Sequence, residues 1–352
     1  MERPVRQNIR FDRETQRLWI LDQTLLPGQE REIACGTEEE ILTAVKTLQV
    51  RGAPAIGIFA AYGMYVLARS IPAGEDFIPR LKRYGDSLKA ARPTAVNLSW
   101  AVNAMLDTAR AGAGESREAL LAALWEKAAA IHRDDREKCA AISALGLSLL
   151  HDGDGLLTHC NAGPLATSQY GTALGPILLG TERGMRFRVF ADETRPLLQG
   201  ARLTAYELHQ AGVDVTLICD NMASTVMKNG WVQACLVGCD RVAANGDAAN
   251  KIGTSGVAIL ARHYGIPFYV LGPTSTIDMD CPSGADIPIE LRDPEEISTL
   301  WYKTPMAPQG VRCYNPAFDV TDSSLITAIV TERGVCRPPY RESLAALFAE
   351  KP

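Results

Sequence analysis

An alternation of short apolar runs and helical stretches begins at Gly155 and constrains the fold more than any other feature of the chain. The apolar runs are Leu156–His159, Arg188–Ala191, Val213–Cys219, Val232–Val237 and Phe268–Leu271, and the helical stretches are Leu165–Leu178, Leu197–Gln210, Met222–Lys228 and Ser255–Tyr264. Strands that alternate with helices at this spacing predict a mainly parallel sheet covered on both faces. Because crossovers between parallel strands are right-handed, we predict a Rossmann-like domain over residues 151–352.

The first 150 residues have a different pattern, which predicts a mostly helical domain with a small β-meander. The meander joins Leu18–Leu21 to Ile33–Cys35 through a turn at Pro27 and Gly28. Helical patterns cover Glu38–Gln49, Ala55–Arg69, Phe77–Ala91, Asn97–Arg110 and Ser116–Leu150, and the last is expected to break near Asp134 and Asp135. The predicted fold class is therefore α/β, with two domains, 1–150 and 151–352.

The charge balance and the apolar content argue against several classes of partner. With 36 Lys and Arg against 41 Asp and Glu, the net charge is −5, which is unlike that of proteins that bind nucleic acid by counterion release. The start, Met1–Arg6, lacks the apolar stretch of a signal peptide, and the longest apolar run, Ala55–Ala68, is shorter than the roughly 20 residues of a membrane span. We expect a cytoplasmic protein with no membrane or nucleic-acid partner.

No cofactor or metal motif is recognisable. The nine cysteines are an odd number scattered through apolar segments, and Cys235 and Cys239 have no second Cys or His pair at zinc-site spacing. The five histidines form no HExxH motif, and no glycine-rich dinucleotide fingerprint or Walker loop follows a predicted strand. We therefore expect neither a metal nor an organic cofactor.

Polar side chains follow the first four predicted strands of the second domain. They are Cys160 and Asn161, then Asp192, Glu193, Thr194 and Arg195, then Asp220 and Asn221, then Asp240 and Arg241, with Asn250 and Lys251 in the loop beyond. Ligands of open parallel sheets bind outside the carboxyl ends of the strands. The sequence therefore predicts the functional site at this edge, although edge loops are polar in any sheet.

Two of these residues have the chemistry of an acid–base pair. Cys160 ends a strand and precedes a helix, a position that lowers the pKa of a thiol, although most cysteines are simply buried and inert. Asp240 ends the apolar run Leu236–Cys239, and a carboxyl group in an apolar pocket has a raised pKa and can act as an acid near neutrality. The alternative for Asp240 is a turn or helix cap.

Two Arg-containing motifs precede helices in the first domain. In Arg51-Gly52-Ala53-Pro54, Pro54 suits a first helical position, and Gly52 and Ala53 keep the helix start open to an anion that Arg51 would also contact. Arg92 stands in a similar position before a turn and a helix. A capped helix with a surface Arg is the alternative in both cases. Gln199 lies in the first turn of a predicted helix and can bind a sugar hydroxyl or simply face solvent.

Six blocks of sequence resemble those of the methylthioribose-1-phosphate isomerase family. They are Arg51–Gly57, Arg92–Leu98, Thr158–Gly163, Asp192–Thr204, Gly238–Thr254 and Asn315–Thr321, and they occur in order over nearly the whole chain. Leu291 and Asp322 depart from the family pattern at positions without an assigned role. The same superfamily includes regulatory subunits of a translation-initiation exchange factor and ribose-1,5-bisphosphate isomerases.

The resemblance implies a cofactor-free, homodimeric aldose–ketose isomerase of methionine salvage. Its catalytic pair falls on Cys160 and Asp240, and its substrate-binding positions fall on Arg51, Gly52, Ala53, Arg92, Gln199, Asn250 and Lys251. The reaction would convert 5-methylthioribose 1-phosphate to 5-methylthioribulose 1-phosphate, either through proton abstraction or through hydride transfer. Competing hypotheses are a non-enzymatic regulatory subunit, a ribose-1,5-bisphosphate isomerase and a dehydrogenase, the last disfavoured by the missing glycine fingerprint.

Overall fold

A computed structural model describes residues 8–93 and 95–349 of the chain. The segment Met1–Arg6 and Thr94, both used in the sequence analysis, lie outside the described residues. The chain divides into two compact units. Unit 1 comprises Met1–Cys139 and Pro164–Gly171, and unit 2 comprises Ala140–Gly163 and Thr172–Pro352. The predicted domain boundary at residue 150 stays a prediction.

Unit 1 contains a three-stranded antiparallel sheet and a set of helices around one apolar helix. Its strands are β1 (Ile9–Asp12), β2 (Arg17–Leu21) and β3 (Glu32–Cys35), and its helices are α1 (Glu38–Lys46), α2 (Ala53–Arg69), α3 (Phe77–Ala91), α4 (Val96–Ala111) and most of α5 (Arg117–Leu147). Nearly every residue of α2 from Ala55 to Ala68 is buried. A helix that is apolar all round belongs inside a core, and α2 packs against α1, α3, α4 and the sheet.

Two helix predictions in unit 1 can be judged on local interactions. The predicted helix start at Glu38 is confirmed, and Thr37 caps α1, because its side chain accepts a hydrogen bond from the Glu40 N–H and Glu40 reaches back to the Thr37 N–H. The predicted break of α5 near Asp134 is wrong, since the helix is continuous through it. Asp134 pairs with Lys138 one turn on, at 2.7 Å, and the Asp135 carboxylate accepts a hydrogen bond from Ser168, which stabilises both residues within the helix.

Unit 2 contains two sheets. The larger holds β4 (Gly155–His159), β5 (Arg188–Asp192), β6 (Asp214–Ile218), β7 (Ala234–Val237), β10 (Phe268–Leu271), β13 (Ala328–Thr331) and β14 (Gly334–Cys336), and the smaller holds β8 (Arg241–Ala243), β9 (Ala248–Lys251), β11 (Ile277–Asp278) and β12 (Phe318–Thr321). The helices are α6 (Gly175–Glu182), α7 (Ala205–Gln210), α8 (Ala223–Lys228), α9 (Thr254–His263), α10 (Glu295–Ser298) and α11 (Tyr340–Ala349). The smaller sheet was not predicted.

The larger sheet has a reversal of strand order at its centre. The order is β14-β13-β10-β7-β4-β5-β6, and all neighbours are parallel except β13 and β14. From the fully buried strand β4 the chain proceeds to one side through β5 and β6, then returns to the other side with β7. This reversal is a topological switch point, where the carboxyl ends of β4 and β7 leave a crevice that binds ligands in open α/β sheets. The predicted α/β class with a Rossmann-like sheet is confirmed.

The predicted helix Leu165–Leu178 is wrong in its first half. Residues Pro164–Ala166 form one 3-10 turn, and α6 begins only at Gly175. The segment Pro164–Gly171 instead folds with unit 1, where the Leu165 carbonyl accepts hydrogen bonds from Asn8 at 2.7 Å and Gln23 at 2.8 Å. These long-range bonds override the local helical pattern.

Candidate functional site

Cys160 and Asp240 follow the two strands that flank the switch point. In the register of β4 and β7, His159 lies opposite Val237, so the chain segments carrying Cys160 and Asp240 leave the sheet side by side. This placement is the one in which parallel sheets bind ligands. Topology therefore supports both residues as site candidates, independently of their chemistry.

The backbone at Cys160 is held in a conformation that non-glycine residues rarely adopt. Its φ is +67°, and its N–H donates to the Thr194 hydroxyl oxygen at 2.9 Å. Its carbonyl accepts from the Thr204 hydroxyl at 2.6 Å. Thr194 also has a positive φ, +63°. Left-handed residues of this kind cluster at functional sites, where surrounding hydrogen bonds maintain a strained turn.

Asp240 does not have the apolar surroundings that the sequence analysis expected. Its side chain is exposed, while its backbone N–H donates to the Ala249 carbonyl at 2.9 Å. The apolar run before it is buried in β7, but the chain turns outward after Gly238. The expected apolar pocket around this carboxyl group is therefore wrong, because burial decreases from Gly238 through Cys239 to the exposed Asp240.

The neighbouring cysteines are poor candidates for chemistry. Burial raises the pKa of Cys235 strongly and raises that of Cys239 to about 12. The Cys239 sulfur also lies 3.3 Å from the Thr276 hydroxyl oxygen. Thiols that stay protonated are neither nucleophiles nor ready metal ligands, so Cys160 remains the thiol of interest at this edge.

The remaining candidates of unit 2 occupy the connection after β5 and the smaller sheet. Gln199 is buried at the start of a π-helical turn over Gly200–Thr204, and its Oε1 has no hydrogen-bond partner among the described residues. Asn250 is buried on β9 and donates to the Thr254 hydroxyl oxygen at 3.1 Å. Short π-helical turns and unpaired buried polar atoms are both features of binding sites.

Lys251 ends β9 with its ammonium group directed at two groups of the adjacent chain. Its Nζ donates to the Ala317 carbonyl at 2.9 Å and lies 4.5 Å from the centre of the Phe318 ring. A cavity of about 230 Å³ opens beside Arg195 and Ile252, the residue after Lys251. The position of the ammonium group is thus defined by a carbonyl and a ring face, as expected of a preorganised cation.

In unit 1 the structure brings the two Arg-containing motifs together. An added Cβ at Gly57, one turn into α2, would lie 3.2 Å from the Asn97 carbonyl oxygen near the start of α4. The two helices therefore cross closely at their N-terminal ends, just beyond Arg51 and Arg92. Arg51 and Arg92 are both half-buried, and Ala53, the first residue of α2, is exposed.

Glycine is required at position 52 for a different reason from the one expected from the sequence. Its φ is +91°, and an added Cβ would lie 2.5 Å from the Ala166 Cα atom. Glycine is needed because the backbone of Pro164–Gly171 packs against the start of α2, not because the approach there is open. Pro54 occupies the second helical position of α2, not the first.

His159 and Asp192 form a buried pair that was not predicted from the sequence. The His159 Nδ1 lies 2.9 Å from Asp192 Oδ2, and the exposed fractions of the two side chains are 1% and 0%. His159 was quoted only as part of a motif. A histidine at the end of an otherwise apolar strand, next to a candidate thiol, is the signal that was available in the sequence.

Comparison with known proteins gives consistent results over nearly the whole chain. The model of the Initiation factor 2 subunit family matches residues 49–338. A methylthioribose-1-phosphate isomerase of Symbiobacterium thermophilum is 62% identical over 336 residues, which cover 95% of this chain and 94% of the relative. A 5-deoxyribose 1-phosphate isomerase of Petrotoga mobilis is 56% identical over 334 residues, covering 94% and 96%.

Two solved structures are similar over their full length. The 5-methylthioribose 1-phosphate isomerase of Pyrococcus horikoshii is 40% identical with a TM-score of 0.93, covering 98% of this chain and 96% of that one. A structure described as the delta subunit of the translation initiation factor eIF-2B from A. fulgidus is 41% identical with a TM-score of 0.90, covering 98% and 99%.

Proposed function

Because the chain belongs to the Initiation factor 2 subunit family, with isomerases among its most similar relatives, we propose that it converts 5-methylthioribose 1-phosphate to 5-methylthioribulose 1-phosphate. The predicted family resemblance and the predicted class, a sugar-phosphate isomerase, are confirmed by these relatives. The placement of Cys160 and Asp240 after the two strands at the switch point is the structural observation that supports the specific reaction most directly.

The chemistry of the substrate dictates what a catalyst must supply. Because the phosphate occupies the anomeric carbon, the sugar ring does not open spontaneously to a free aldehyde. An acid must protonate the ring oxygen while the ring C–O bond breaks, and hydrogen must then move from carbon 2 to carbon 1. We assign Asp240 as the acid and Cys160 as the base or as the group that stabilises the transition state.

The exposed position of Asp240 has a consequence for the pH dependence of turnover. The Asp240 carboxyl group is exposed, and its proposed role as the acid requires that bound substrate exclude water from it. The pH dependence of turnover then reports the carboxyl group in the substrate complex rather than in the free protein. The strained, hydrogen-bonded turn at Cys160 needs no such change.

Binding of the phosphate is assigned to positive groups and a helix start. Lys251, Arg51 and Arg92 are the charged candidates, with Gly52 and Ala53 at the start of α2. Gln199 and Asn250 are assigned to sugar hydroxyl groups, since both are buried amides. Guanidinium groups and helix N-termini are common phosphate ligands.

Turnover of the purified, chelator-treated protein on 5-methylthioribose 1-phosphate, followed by carbon-13 NMR of the ketose product, tests the proposal. Product without added metal or nucleotide supports both the reaction and the absence of a cofactor requirement. No product from folded protein and intact substrate overturns it. Ribose 1,5-bisphosphate, and then partners of the translation machinery, would be tried next, the latter because of the similar A. fulgidus structure.

The substituent at carbon 5 is tested in the same assay. The relative from Petrotoga mobilis is named for 5-deoxyribose 1-phosphate, so this sugar is the specific competitor. We expect a higher kcat/KM for the methylthio sugar. A higher kcat/KM for the deoxy sugar would reassign the physiological substrate and leave the isomerase class intact.

The two chemical routes are separated with substrate deuterated at carbon 2. Retention of the label at carbon 1 of the product supports hydride transfer. Exchange of the label with solvent supports proton abstraction with Cys160 as the base.

A homodimer in the cytoplasm and a role in methionine salvage belong to the same proposal. Among the described residues no helix is long and apolar enough to cross a membrane.

A further inference from the structure

The imidazole ring of His159 is bonded at both nitrogens to chain segments that carry candidate site residues. Its Nδ1 lies 2.9 Å from Asp192 Oδ2, at the end of β5, and its Nε2 lies 2.8 Å from the Ile252 carbonyl oxygen. Cys160 is the next residue after His159, and Lys251 immediately precedes Ile252. One buried ring therefore connects the ends of β4 and β5 with the turn after β9.

The bonding partners determine how many protons the pair holds. A carbonyl oxygen can only accept, so Nε2 carries a hydrogen. With Nε2 protonated, Nδ1 and the Asp192 carboxyl oxygen form a hydrogen bond only if a second proton lies between them. The pair is therefore either an imidazolium with a carboxylate or a neutral imidazole with a carboxylic acid. In both states it contains one proton more than a neutral histidine and an ionised aspartate would.

Asp192 is also connected to the backbone of Cys160. Its carbonyl accepts a hydrogen bond from the Thr194 hydroxyl at 3.0 Å, and that hydroxyl oxygen accepts from the Cys160 N–H at 2.9 Å. The side chain of Asp192 thus holds His159 while its main chain, through Thr194, holds the left-handed turn at Cys160. Two successive residues of the chain are fixed by one aspartate.

The turn after β9 is shaped around the same ring. Gly253 has a φ of +102°, and an added Cβ there would lie 2.8 Å from His159 Cε1. The Asp319 carboxylate accepts from the Gly253 N–H at 2.8 Å and from the Ser255 N–H at 3.1 Å. Only glycine fits against the imidazole at this distance, so the position of the ring also sets where Lys251 and Ile252 lie.

We propose that His159 and Asp192 form a proton-containing positioning pair, which keeps the left-handed turn at Cys160 in register with the turn after Lys251. The inference rests on the proposed function insofar as Cys160 and Lys251 serve the isomerase reaction. Neither member of the pair needs to touch the substrate, because both side chains are almost fully buried. Loss of the pair's proton leaves two acceptors facing each other and releases the turn.

The surroundings of the pair favour retention of that proton. Asp220, Glu193 and Asp319 are the acidic groups whose charges act on it, and Cys235 is the nearby thiol on β7. Burial alone would lower the pKa of His159, but the hydrogen bond and charge of Asp192 outweigh it and raise that pKa. Burial raises the pKa of Asp192 against the opposing hydrogen bond from His159. Both directions correspond to a pair that keeps a proton.

The cluster of His159, Asp192 and Asp220 has the residue types of a metal site, with candidate ligand atoms within 4.8 Å of one another. Most of these atoms already have partners. Both ring nitrogens of His159 are bonded, and the Asp220 carboxylate accepts the N–H groups of Thr194 at 2.7 Å and Arg195 at 2.8 Å. The geometry points to a hydrogen-bonded unit that supports the Cys160 turn rather than to a cation site.

Two substitutions of Asp192 separate the hydrogen bond from the proton. In Asp192→Asn the amide N–H donates to Nδ1 of a neutral imidazole while Nε2–H still donates to the Ile252 carbonyl. Every hydrogen bond is kept, and the titrating proton is gone. In Asp192→Ala the hydrogen bond itself is lost. The matched control is Asp247→Asn, because Asp247 is a carboxylate of the same unit that accepts from Gly284 N–H at 3.0 Å and Ser323 N–H at 2.8 Å, away from the pair.

Two readouts are measured across pH. One is turnover, and the other is the rate of alkylation of Cys160 by iodoacetamide, read by mass spectrometry of the Cys160 peptide. We expect Asp192→Ala to lower kcat at least about tenfold, as loss of catalytic-group positioning does, and to raise KM as well, because the pair also positions the turn after Lys251. Asp192→Asn should stay within about threefold of wild type near neutrality. At alkaline pH the wild type loses the shared proton, whereas Asp192→Asn has no such proton to lose. The turnover and the alkylation rate of wild type should therefore diverge from those of Asp192→Asn at alkaline pH.

Asp247→Asn should lower the free energy of unfolding and leave both readouts unchanged. Wild-type turnover and Cys160 alkylation in Asp192→Ala would overturn the inference. So would an Asp192→Asn variant as impaired as Asp192→Ala, because its hydrogen bonds are intact. If Asp192→Ala does not fold, nitrogen-15 NMR of His159 in the wild type decides. A protonated Nε2 and a proton shared at Nδ1 near neutrality support the pair, and an unprotonated Nδ1 with ionised Asp192 excludes it.

Failure of the proposed function gives a different result. If the protein does not turn over 5-methylthioribose 1-phosphate, or if Cys160→Ser is fully active, the assignment of the reaction or of Cys160 is wrong. The alkylation profiles of wild type, Asp192→Asn and Asp192→Ala still differ as described if the pair positions the turn.

Discussion

At the scale of single residues, the candidate catalytic groups differ in how firmly they are held. The backbone of Cys160 is fixed by two hydrogen bonds, from its N–H to the Thr194 hydroxyl oxygen and from the Thr204 hydroxyl to its carbonyl. Asp240 is exposed, and its backbone N–H donates to the Ala249 carbonyl. The backbone that carries the Cys160 thiol is therefore preorganised, whereas the exposed Asp240 carboxyl group meets the substrate at the surface of the chain.

Substitution of either group should slow the reaction strongly. We expect Cys160→Ser and Asp240→Asn each to lower kcat by at least about a hundredfold, since loss of an acid–base group typically costs that much. Initial rates on 5-methylthioribose 1-phosphate measure the effect, with circular dichroism as the control for folding. Near-normal turnover in one variant would remove that residue from its assigned role.

Substitution of Lys251 should act on binding. We expect Lys251→Met to raise KM about tenfold or more, because a charged contact to phosphate contributes roughly 1.5–3 kcal/mol. The methionine keeps the apolar stem beside Phe318, so kcat should change less than threefold. A large loss of kcat at unchanged KM would mean that Lys251 acts on the transition state instead.

At the scale of elements, the start of α2 depends on one close backbone contact. Gly52 combines a positive φ with the approach of Ala166, and both requirements exclude a side chain. The segment that contains Ala166 begins at Pro164, shortly after Cys160 in the chain. The start of α2 is therefore shaped by tertiary packing as well as by its Pro54.

A matched pair of glycine substitutions separates the two requirements. Gly74 has a φ of +96° and no atom near an added Cβ, so Gly74→Ala measures the conformational strain alone, roughly 1–3 kcal/mol. We expect Gly52→Ala to lower the free energy of unfolding by clearly more than Gly74→Ala, and to raise KM. Urea denaturation and initial rates measure the two effects. If the two variants lose the same free energy of unfolding, the Ala166 backbone moves away from the added Cβ without a cost in stability.

Prediction from sequence succeeded for elements whose signals are local. The bounds of α3 (Phe77–Ala91) and β10 (Phe268–Leu271) agree with the structure, because amphipathic periodicity and a short apolar run define them. The smaller sheet was missed, since β9 reads Ala-Ala-Asn-Lys and has neither alternation nor β-branched residues. Its pairing with β8 and β12 is a tertiary effect.

The candidate site could be predicted in part for a similar reason. The polar residues at strand ends were found because parallel topology places them at one edge. The apolar pocket at Asp240 and the open approach at Gly52 were wrong, because exposure and backbone contact are decided by distant segments. The His159–Asp192 pair was missed because its two members lie 33 residues apart. Local patterns identify residue types, and only packing identifies partners.

At the scale of the whole molecule, the free energy of unfolding should depend on Asp135. The residue is half-buried, but its carboxyl group is enclosed beside Ser168, and burial raises its pKa from 3.8 to about 6. The folded protein then binds this proton more tightly than the unfolded chain does. Its contribution to stability is present below the unfolded pKa and is lost as pH rises through about 6.

Asp135→Asn should remove this pH dependence. The amide oxygen can still accept from Ser168, and no charge is buried above pH 6. We expect the variant to be more stable than wild type by about 1–2 kcal/mol at pH 8, after allowance for solvent screening, and equal to it near pH 4. Urea denaturation at a series of pH values measures the difference. An unchanged or lower stability at pH 8 would show that the carboxylate is better accommodated than its burial implies.

The assignment of Pro164–Gly171 to unit 1 has a consequence for recombination among relatives. Because this segment is inserted between two stretches of unit 2, the polypeptide passes from one unit to the other at residue 139, at residue 163 and again at residue 171. A chimaera with a single crossover between residues 53 and 164 would pair the start of α2 from one parent with the Ala166 segment of another. Chimaeras that fold should therefore take residues 1–139 and 164–171 from the same parent.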